Sequence, residues 1–491
     1  MPEISLPALP EVFVSNSEMS KAVGEAVARG QLRKIGSRLY TRNLTENPES
    51  LVRRNWYFLI GSYYRDALIA DRTAFENKPA ADGSVFLISN RTREVSLPGL
   101  TFRPRKGPGP LDSDKVFAGG ARLSSTARAY LENMSASRER AGRASRTVPR
   151  EEIERRLDEL ARQQGDGALN KLRDDARAIA EPLGLTEQYA DLSDLIGTFL
   201  GTRDAPTASS VGTARAAGHP YDPDRLTLFE TLFTALREFI PIGRSTAGRS
   251  LEAATSLAFF EAYFSNFIEG TEFSVDEARE IVFEGLIPTE RPADAHDVLG
   301  TFRVVSDNAD LARLPGNFDE FLDQLRTRHA RIMDGRPDKS PGGFKTKENQ
   351  AGNTVFVAPD LVNGTLEKGF EFLQGLGEPF HRAVFMMFLV SEVHPFVDGN
   401  GRVARVMMNA ELAASDQERI IVPIAYRTDY VSALKAISQN SLTDRVIRML
   451  DAAQRYTHSI DWSSLDQARA DLNATNAFSD DENARLKLPA A

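Results

Sequence analysis

The sequence predicts a mainly α-helical protein with a smaller α+β region at its start, and three features lead to this prediction. From residue 150 onward the sequence is helical in character, with helices expected over 150–164, 167–182, 187–201 and 224–239. An apolar block over 383–393 precedes a glycine-containing loop and a helix-forming segment, 403–414, so we expect a buried helix, a tight loop and a second helix. Over 80–118, short β-like runs are separated by glycine and proline.

The 491 residues are enough for two or three domains, and composition divides them into four parts. These parts are a basic α+β domain, a helical connector with an exposed linker, a helical domain that contains a helix over 250–270, and a polar tail, over residues 1–150, 151–220, 221–460 and 461–491.

Composition excludes several classes of protein. There are no cysteines, so disulfides and thiolate metal sites are excluded. No apolar run approaches the ~18 residues of a membrane span, and the acidic, proline-broken start lacks the features of a signal peptide. The sequence therefore predicts a soluble cytoplasmic protein that does not contact membranes.

The net charge of −9 conceals an asymmetry. Residues 1–150 contain 24 Lys and Arg against 15 Asp and Glu, a net charge of +9, which leaves −18 on the remainder. Such an asymmetry indicates different partners for the two parts of the chain.

The most informative stretch is residues 394–405, HPFVDGNGRVAR. It combines a histidine, a carboxylate, two glycines that flank an asparagine, and two arginines. A tight loop before a helix has unpaired backbone N–H groups, and the helix N-terminus adds partial positive charge. The pattern predicts an anion site in which the arginines lie close to phosphates.

This stretch matches the HxFx(D/E)GNGRxxR signature of the Fic family, and the chain is identified as a member of that family over about residues 220–460. The resemblance implies an all-α Fic-fold bundle with a β-hairpin flap. It also implies a Mg²⁺-dependent nucleotidyltransferase that moves AMP from ATP to a hydroxyl of a protein substrate.

The resemblance assigns roles within the motif. His394 is the general base, with an unperturbed pKa near ~6.5, and Asp398 holds Mg²⁺. ATP is bound by backbone N–H groups, phosphate-clamping arginines and a tyrosine that lines the adenine pocket: Gly399, Asn400, Gly401, Arg402, Arg405 and Tyr430.

Residues 250–270 show an apolar helical stripe that ends in SNFIEG. Ser265, Glu269 and Gly270 match the (S/T)xxxE(G/N) inhibitory motif of many Fic proteins, in the type whose inhibitory helix precedes the active loop. The resemblance implies that Glu269 pairs with Arg405 and blocks productive ATP binding. The alternative is an ordinary amphipathic helix that ends in Glu-Gly.

A hairpin is expected over 341–359, bounded by glycine and proline, with β-like residues over 354–357. In the Fic family a flap at this place aligns the target segment by strand addition. We therefore assign target docking to four residues of the flap, Phe344, Lys345, Thr346 and Val355. The alternative is a surface hairpin with no role in binding.

Near the start, a helix, a glycine and a basic hairpin follow one another, which is the outline of a winged helix. The segment resembles the N-terminal DNA-binding domain of AbiEi-type antitoxin regulators. The resemblance implies that Arg33, Lys34 and Arg38 contact DNA phosphates. The alternative is a solvated basic hairpin in a protein-interaction domain.

The sequence thus predicts an autoinhibited protein adenylyltransferase with self-modification. Two alternatives stay open. The same site can remove AMP from a modified protein, or the chain can be a DNA-binding regulator whose Fic domain responds to nucleotide. The expected partners are a protein substrate, DNA through residues 1–150, and a second copy of the chain in a homodimer.

Overall fold

The computed structural model describes residues 9–137, 142–352, 354–481 and 485–488. The chain forms two compact units, residues 1–218 and 219–491. Parts of the predicted basic domain, flap and tail lie outside the described residues, namely 1–8, 138–141, Asn353, 482–484 and 489–491.

The first unit combines short strands with helices. Its elements are β1 Val12–Val14, α1 Ser20–Ala28, β2 Arg33–Gly36, β3 Leu39–Thr41, α2 Pro48–Arg54, α3 Trp56–Tyr63, β4 Leu68–Ile69, α4 Asp71–Glu76, β5 Ser84–Ile88, β6 Val95–Leu97, β7 Leu100–Arg105, β8 Lys115–Val116, β9 Arg122–Leu123, α5 Thr126–Asn133, α6 Arg150–Gln164, α7 Asp166–Leu183, α8 Thr186–Phe199 and α9 Ser210–Ala216.

Two sheets organise this unit. The first is antiparallel, in the order β1-β3-β2, with Val12 opposite Thr41. Within residues 9–41 a single helix, α1, precedes the hairpin of β2 and β3, so this segment contains a helix and a hairpin but only one helix of a helix-turn-helix. The second sheet has the order β6-β7-β5-β4-β9-β8, in which β5–β7 and β4–β9 are parallel pairs.

The predicted linker before residue 221 contains helix α9, which differs from the expectation of an exposed loop. The Ser209 hydroxyl accepts from Gly212 N and caps this helix. The buried Glu154 carboxylate also accepts from the backbone N–H groups of Ala208 and Ser209, so a distant charge orders a segment of loop-like composition.

The second unit is helical except for one small hairpin. Its elements are α10 Pro223–Glu238, α11 Leu251–Ile268, α12 Val275–Arg279, a π-helical turn Glu280–Glu284, α13 Pro292–Val305, α14 Asn308–Leu311, α15 Phe318–Ile332, β10 Gln350–Ala351, β11 Thr354–Val355, α16 Val362–Gln374, α17 Pro379–Val393, α18 Asn400–Ala413, α19 Arg427–Asn440, α20 Thr443–Ser459 and α21 Leu465–Ala474.

Helix α17 runs through the centre of the second unit. Twelve of its fifteen residues are buried, and its side chains share one apolar core with α10, α16 and α18. The predicted order of buried helix, tight loop and second helix is confirmed, with the loop over 394–399. The predicted fold class, mainly α with a smaller α+β region, is likewise confirmed. Among the described residues, no helix combines the length and the apolar character needed to cross a membrane.

Helix α11 packs a phenylalanine-rich face into a second apolar cluster of this unit, with Phe260, Phe264 and Trp462 among its members. Its start is capped by the Ser250 hydroxyl, which accepts from Ala253 N. Its end is a Schellman motif, because Gly270 N donates to Phe267 O and Thr271 N donates to Asn266 O.

Candidate active site

The loop between α17 and α18 is held from within by one asparagine. Asn400 Oδ1 accepts from Phe396 N and Asn400 Nδ2 donates to Phe396 O, both at 2.9 Å. Phe396 is fully buried and anchors the loop in the core. Gly399 has φ +73°, and a Cβ there would lie 2.6 Å from Met333 Sδ, so no larger residue fits this turn.

His394 ends α17 in the left-handed region, at φ 52° and ψ 58°. Its Nδ1–H donates to Ser391 O at 3.2 Å, so Nε2 carries the lone pair that can accept a proton. The Phe356 ring stacks on the imidazole with 3.7 Å between centroids and 4° between planes. The backbone conformation of His394, its tautomer and the orientation of its ring are therefore all fixed.

The pKa of His394 corrects one expectation. Burial lowers it from 6.5 to about 4, whereas the sequence suggested an unperturbed group. The apolar contact with Phe356 and the protein around it disfavour the charged imidazolium. At neutral pH the imidazole is therefore fully in the form that accepts a proton.

Glu269 and Arg405 form the ion pair that the motif implies. Arg405 Nη2 donates to Glu269 Oε1 at 2.7 Å and to Ser265 O at 2.9 Å, while its Nε donates to Ser265 Oγ at 3.0 Å. Arg405 is 5% exposed, so its charge is shielded from water and is balanced by the Glu269 carboxylate. The end of α11 thus supplies three hydrogen bonds to the guanidinium.

The Glu269 carboxylate also lies against the N-terminus of α18. A Cβ on Gly401 would lie 2.2 Å from Glu269 Oε1, so the absence of a side chain at Gly401 makes room for the carboxylate. The N-cap residue of α18 is Gly399, which has no side chain to cap the helix, and the first turn contains no acidic residue. Its first N–H groups and its dipole favour an anion there, and Glu269 is the anion that lies there.

Arg402 differs from the predicted phosphate clamp. It is 3% exposed, and its Nη1 lies 2.5 Å from Asp297 Oδ2 on α13. The same carboxylate pairs with Arg336. Because Asp297 is buried and far away in sequence, the sequence could not reveal that it neutralises Arg402.

Asp398, the predicted Mg²⁺ ligand, keeps its carboxylate half-exposed. Its Oδ1 accepts from Gly399 N at 2.7 Å. Within the described ranges, no three His, Cys, Asp or Glu side chains group together as a metal site. The same Oδ1 lies 3.7 Å from Arg402 Nη2. One half-exposed carboxylate fits Mg²⁺, which commonly takes one or two protein carboxylates and completes its shell with phosphates and water.

His329 on α15 holds the loop in place, a contact that sequence reasoning missed. Its Nε2–H donates to Asp398 O at 2.9 Å, its Nδ1 accepts from Gly342 N, and its ring stacks on Phe396 at 3.6 Å. Burial lowers its pKa to about 4. The sequence shows only a lone histidine on a helix, so no local pattern reveals that it supports the loop.

One cavity of about 240 Å³ lies beside several of these groups. Glu269, Gly401 and Arg405 line it. It is also lined by apolar and a few polar side chains of α17 and α19, namely Phe388, Ser391, Glu392, Val431, Leu434, Lys435 and Ser438. His394 and Tyr430 also line the cavity, whereas Asp398, Gly399, Asn400 and Arg402 are absent from its lining.

Tyr430, the predicted adenine-pocket residue, is 2% exposed. The Arg405 guanidinium carbon lies 5.9 Å from the centre of its ring. Tyr430 therefore contacts Arg405 through its π-face.

The predicted flap forms a hairpin with two residues in each strand, Gln350 opposite Val355 and Ala351 opposite Thr354. Val355 and Thr346 are solvent-accessible. Phe344 and Lys345 differ from the docking prediction, because they precede the hairpin and pack beneath the loop. Phe344 lies against Phe396, with 5.2 Å between ring centroids, and Lys345 is 3% exposed.

Of the predicted DNA-contacting residues, Arg33 and Lys34 lie on β2 and Arg38 lies in the turn between β2 and β3. Arg33 donates to the backbone carbonyls of Leu44 and Glu46, and Arg38 donates to Ser15 O. Lys34 is exposed. Two of the three basic side chains therefore have a part in holding this segment together.

Residues 318–412 match the family model described as Fic/DOC family. "Protein adenylyltransferase fic-1" of Caenorhabditis briggsae is 26% identical over 221 residues, which cover 44% of this chain and 43% of the relative. "Protein adenylyltransferase Fic" of Drosophila virilis is 24% identical over 228 residues, which cover 45% of this chain and 46% of the relative. The chain spans less than half the length of these relatives.

Solved structures of Fic proteins also align with the chain. Fic-1, residues 134–508, from C. elegans aligns over 63% of this chain and 97% of its own length, with TM-score 0.35 and 18% identity. A Fic domain containing signaling protein from Bacteroides thetaiotaomicron aligns over 50% of this chain and 98% of its own, with TM-score 0.37 and 14% identity. The residues that match the family model include the loop over 394–399. This chain carries a Fic/DOC domain over residues 318–412.

Proposed function

We propose that the protein is an autoinhibited protein adenylyltransferase that transfers AMP from ATP to a hydroxyl side chain of a target protein. One observation supports this proposal above the others. Glu269 lies where the first turn of α18 attracts an anion and pairs with Arg405, in the same cavity that His394 lines. A carboxylate in such a place resembles a phosphate held by the same groups. The names of the relatives, protein adenylyltransferases, point to the same activity.

In this proposal the chemistry is an in-line displacement at the α-phosphorus of ATP. The target hydroxyl oxygen forms a bond to the α-phosphorus, the bond to the oxygen that bridges the α- and β-phosphates breaks, and pyrophosphate leaves. His394 Nε2 takes the hydroxyl proton. Its Nδ1–H bond to Ser391 and the stacked Phe356 hold the imidazole for this step, and positioning supplies much of the rate.

The proposal places the phosphates in the part of the cavity that Glu269 now shares with Gly401 and Arg405. Arg405 exchanges the carboxylate for phosphate oxygens, so its buried charge stays paired in both states. Arg402 then acts through Asp297, as a support of the loop, rather than as a second clamp. The adenine occupies the apolar part between α17 and α19, beside Tyr430.

Asp398 is the residue that would hold Mg²⁺ beside the phosphates. When bound, the ion would neutralise negative charge on the phosphate oxygens. The backbone N–H of Gly399 orients the carboxylate, and His329 orients the carbonyl of the same residue.

Two labels on ATP test the reaction. The Glu269→Gly variant, incubated with Mg²⁺ and ATP labelled at the α-phosphate, should transfer label to its own chain or to added protein. Label at the γ-phosphate should not be transferred, because pyrophosphate leaves. Addition of His394→Ala should abolish the transfer. Transfer of the γ-label would contradict AMP transfer, and undiminished transfer without His394 would contradict the role of the base.

Removal of AMP is the alternative that uses the same residues, with Glu269 orienting a water. It is favoured if chains pre-labelled with AMP lose the label in the presence of the wild-type protein and keep it with Glu269→Gly. The DNA-binding alternative has less support, because Arg33 and Arg38 already donate to backbone carbonyls. DNA binding and homodimer formation stay predictions.

A further inference from the structure

Lys345 is a buried lysine for which the mechanism above has no use. Its side chain is packed beneath the loop, and its Nζ donates to Asn349 Oδ1 at 2.6 Å and to Val393 O at 3.4 Å. In the part of the chain that the structure describes, no carboxylate forms an ion pair with it. Burial of an ammonium group without a counter-ion is unfavourable, and it lowers the pKa of Lys345 to about 8.

The segment 344–349 holds the backbone on both sides of the catalytic base. On the N-terminal side of His394, the ammonium of Lys345 reaches the carbonyl of Val393. On its C-terminal side, Lys345 N donates to Pro395 O at 2.8 Å and Asn349 Nδ2 donates to Phe396 O at 3.0 Å. Three carbonyl groups within two residues of His394 are therefore fixed by this segment.

The same segment also fixes the face of the imidazole. Phe356, whose ring stacks on His394, donates its backbone N–H to Asn349 O at 3.2 Å. The Lys345 Nζ lies 6.0 Å from the centre of the Phe356 ring. Lys345, Asn349 and Phe356 thus form one connected group that ends on the ring of the base.

We propose that Lys345, acting with Asn349, is a positioning residue for His394. The ammonium ties Asn349 to the carbonyl that precedes the base. The Asn349 side chain holds the carbonyl of Phe396, and its backbone carbonyl accepts from the stacked Phe356. The left-handed backbone of His394 is uncommon for a residue other than glycine, and support from outside its own helix stabilises it. This inference rests on the proposed function, because it takes His394 as the acceptor of the hydroxyl proton.

Variants made in the Glu269→Gly protein test this role. Lys345→Met removes the charge and keeps the length of the side chain, and Lys345→Arg restores a charged donor. Asn349→Ala removes the side-chain bonds to Lys345 Nζ and to Phe396 O. Lys368→Met, on the exposed side of α16, is the matched control. The maximal rate of label transfer from α-labelled ATP is measured together with the dissociation constant of ATP by calorimetry, and folding is followed by circular dichroism.

Lys345→Met and Asn349→Ala should each lower the maximal rate roughly tenfold to a hundredfold, because a small displacement of a base is costly. The dissociation constant of ATP should change less than about twofold, because the binding that ATP has in both its ground state and its transition state is unchanged. Lys345→Arg should recover most of the rate, and Lys368→Met should equal the parent.

A folded Lys345→Met protein that transfers label at the parent's rate overturns the proposal. So does a parallel loss of rate and of ATP affinity that Lys345→Arg does not repair, because that pattern indicates a general structural role. If Lys345→Met does not fold, Asn349→Ala decides by the same two criteria. If the Glu269→Gly parent itself transfers no label, by contrast, the proposed function is overturned.

Discussion

At the scale of single residues, Arg405 is the side chain whose partner decides the state of the site. It is buried, and the described structure gives it Ser265 and Glu269 as hydrogen-bond partners. An arginine with its charge out of water must remain paired, so Glu269 can leave only when another anion arrives. Competition between a carboxylate and a phosphate for one guanidinium is therefore the basis of the proposed inhibition.

The lowered pKa of His394 predicts an unusual pH dependence of activity. The imidazole must be neutral to accept a proton, and burial keeps it neutral down to about pH 4 in the free enzyme. In Glu269→Gly, kcat/KM, which reports the free enzyme, should therefore stay constant from about pH 8 to about pH 5. Initial rates across this range test the point. A decline that begins near pH 6.5 would instead indicate an unperturbed histidine.

His329 predicts a pH dependence of stability. Its pKa is about 4 in the folded protein against 6.5 for an ordinary histidine. Below pH 6.5 the unfolded chain binds a proton that the folded chain excludes, so stability falls as pH falls towards 4, by on the order of 3 kcal/mol. The midpoint of urea unfolding should fall less steeply over this range in His329→Gln. His296→Gln, at an exposed histidine, should keep the wild-type slope.

At the residue scale the sequence reveals contacts whose two partners both lie in recognisable motifs. The pairing of Glu269 with Arg405 is such a contact, because each residue belongs to a motif that resembles one of the Fic family. The partner of Arg402 and the burial of Lys345 are not revealed, because no motif marks the residues that pack against them. The pKa of His394 was missed for the same reason, since it depends on what surrounds the ring.

At the scale of elements, the proposed inhibition makes the end of α11 the part that must change on activation. Glu261 on the same helix forms a buried ion pair with Arg419 and accepts from Asn409 of α18 at 2.8 Å. The body of the helix is therefore tied to α18, and only its last turn, with Glu269 before Gly270, lies at a free end. Release of the inhibition is expected to involve this turn rather than the whole helix.

A substitution at Gly270 tests this view of the element. Gly270 has φ +89° and open space around its Cβ position, so Gly270→Ala should cost about 1–2 kcal/mol through the backbone alone. Because this cost falls on the inhibited form, the rate of label transfer should rise roughly fivefold. Gly285→Ala, with φ +73° and equally open space, is the matched control. It should lower stability similarly without raising the rate.

Helical periodicity and glycine punctuation predicted most long helices at this scale, including α6, α7, α8 and α10 to within a few residues. Helix α9 was missed because its composition resembles a loop and its order comes from Glu154. The flap strands are shorter than predicted. Two-residue strands carry almost no periodicity, so sequence patterns cannot delimit them.

At the scale of the whole molecule, the charge asymmetry is the feature still without a function. Residues 1–150 carry +9 and the remainder −18, by the counts given above. Neither the folds of the two units nor the relatives' names identify a partner for the basic part.

A salt titration of the full-length chain tests that part. If the basic region binds DNA through phosphates, affinity should fall steeply with salt, and Lys34→Ala should weaken binding and reduce the slope of log K against log salt by about one. Fluorescence anisotropy with a labelled duplex gives this measurement. The absence of binding at low salt would exclude DNA as the partner and favour a protein.

The most direct test of the account compares the initial rate of transfer from α-labelled ATP in three proteins. These are the wild type, Glu269→Gly, and Glu272→Gly as the matched control, at an exposed glutamate three residues further along. If Glu269 holds Arg405 away from the phosphates, Glu269→Gly should be roughly 5- to 150-fold faster, the range of typical coupling energies. Glu272→Gly should match the wild type. Equal rates in the wild type and Glu269→Gly would contradict the account.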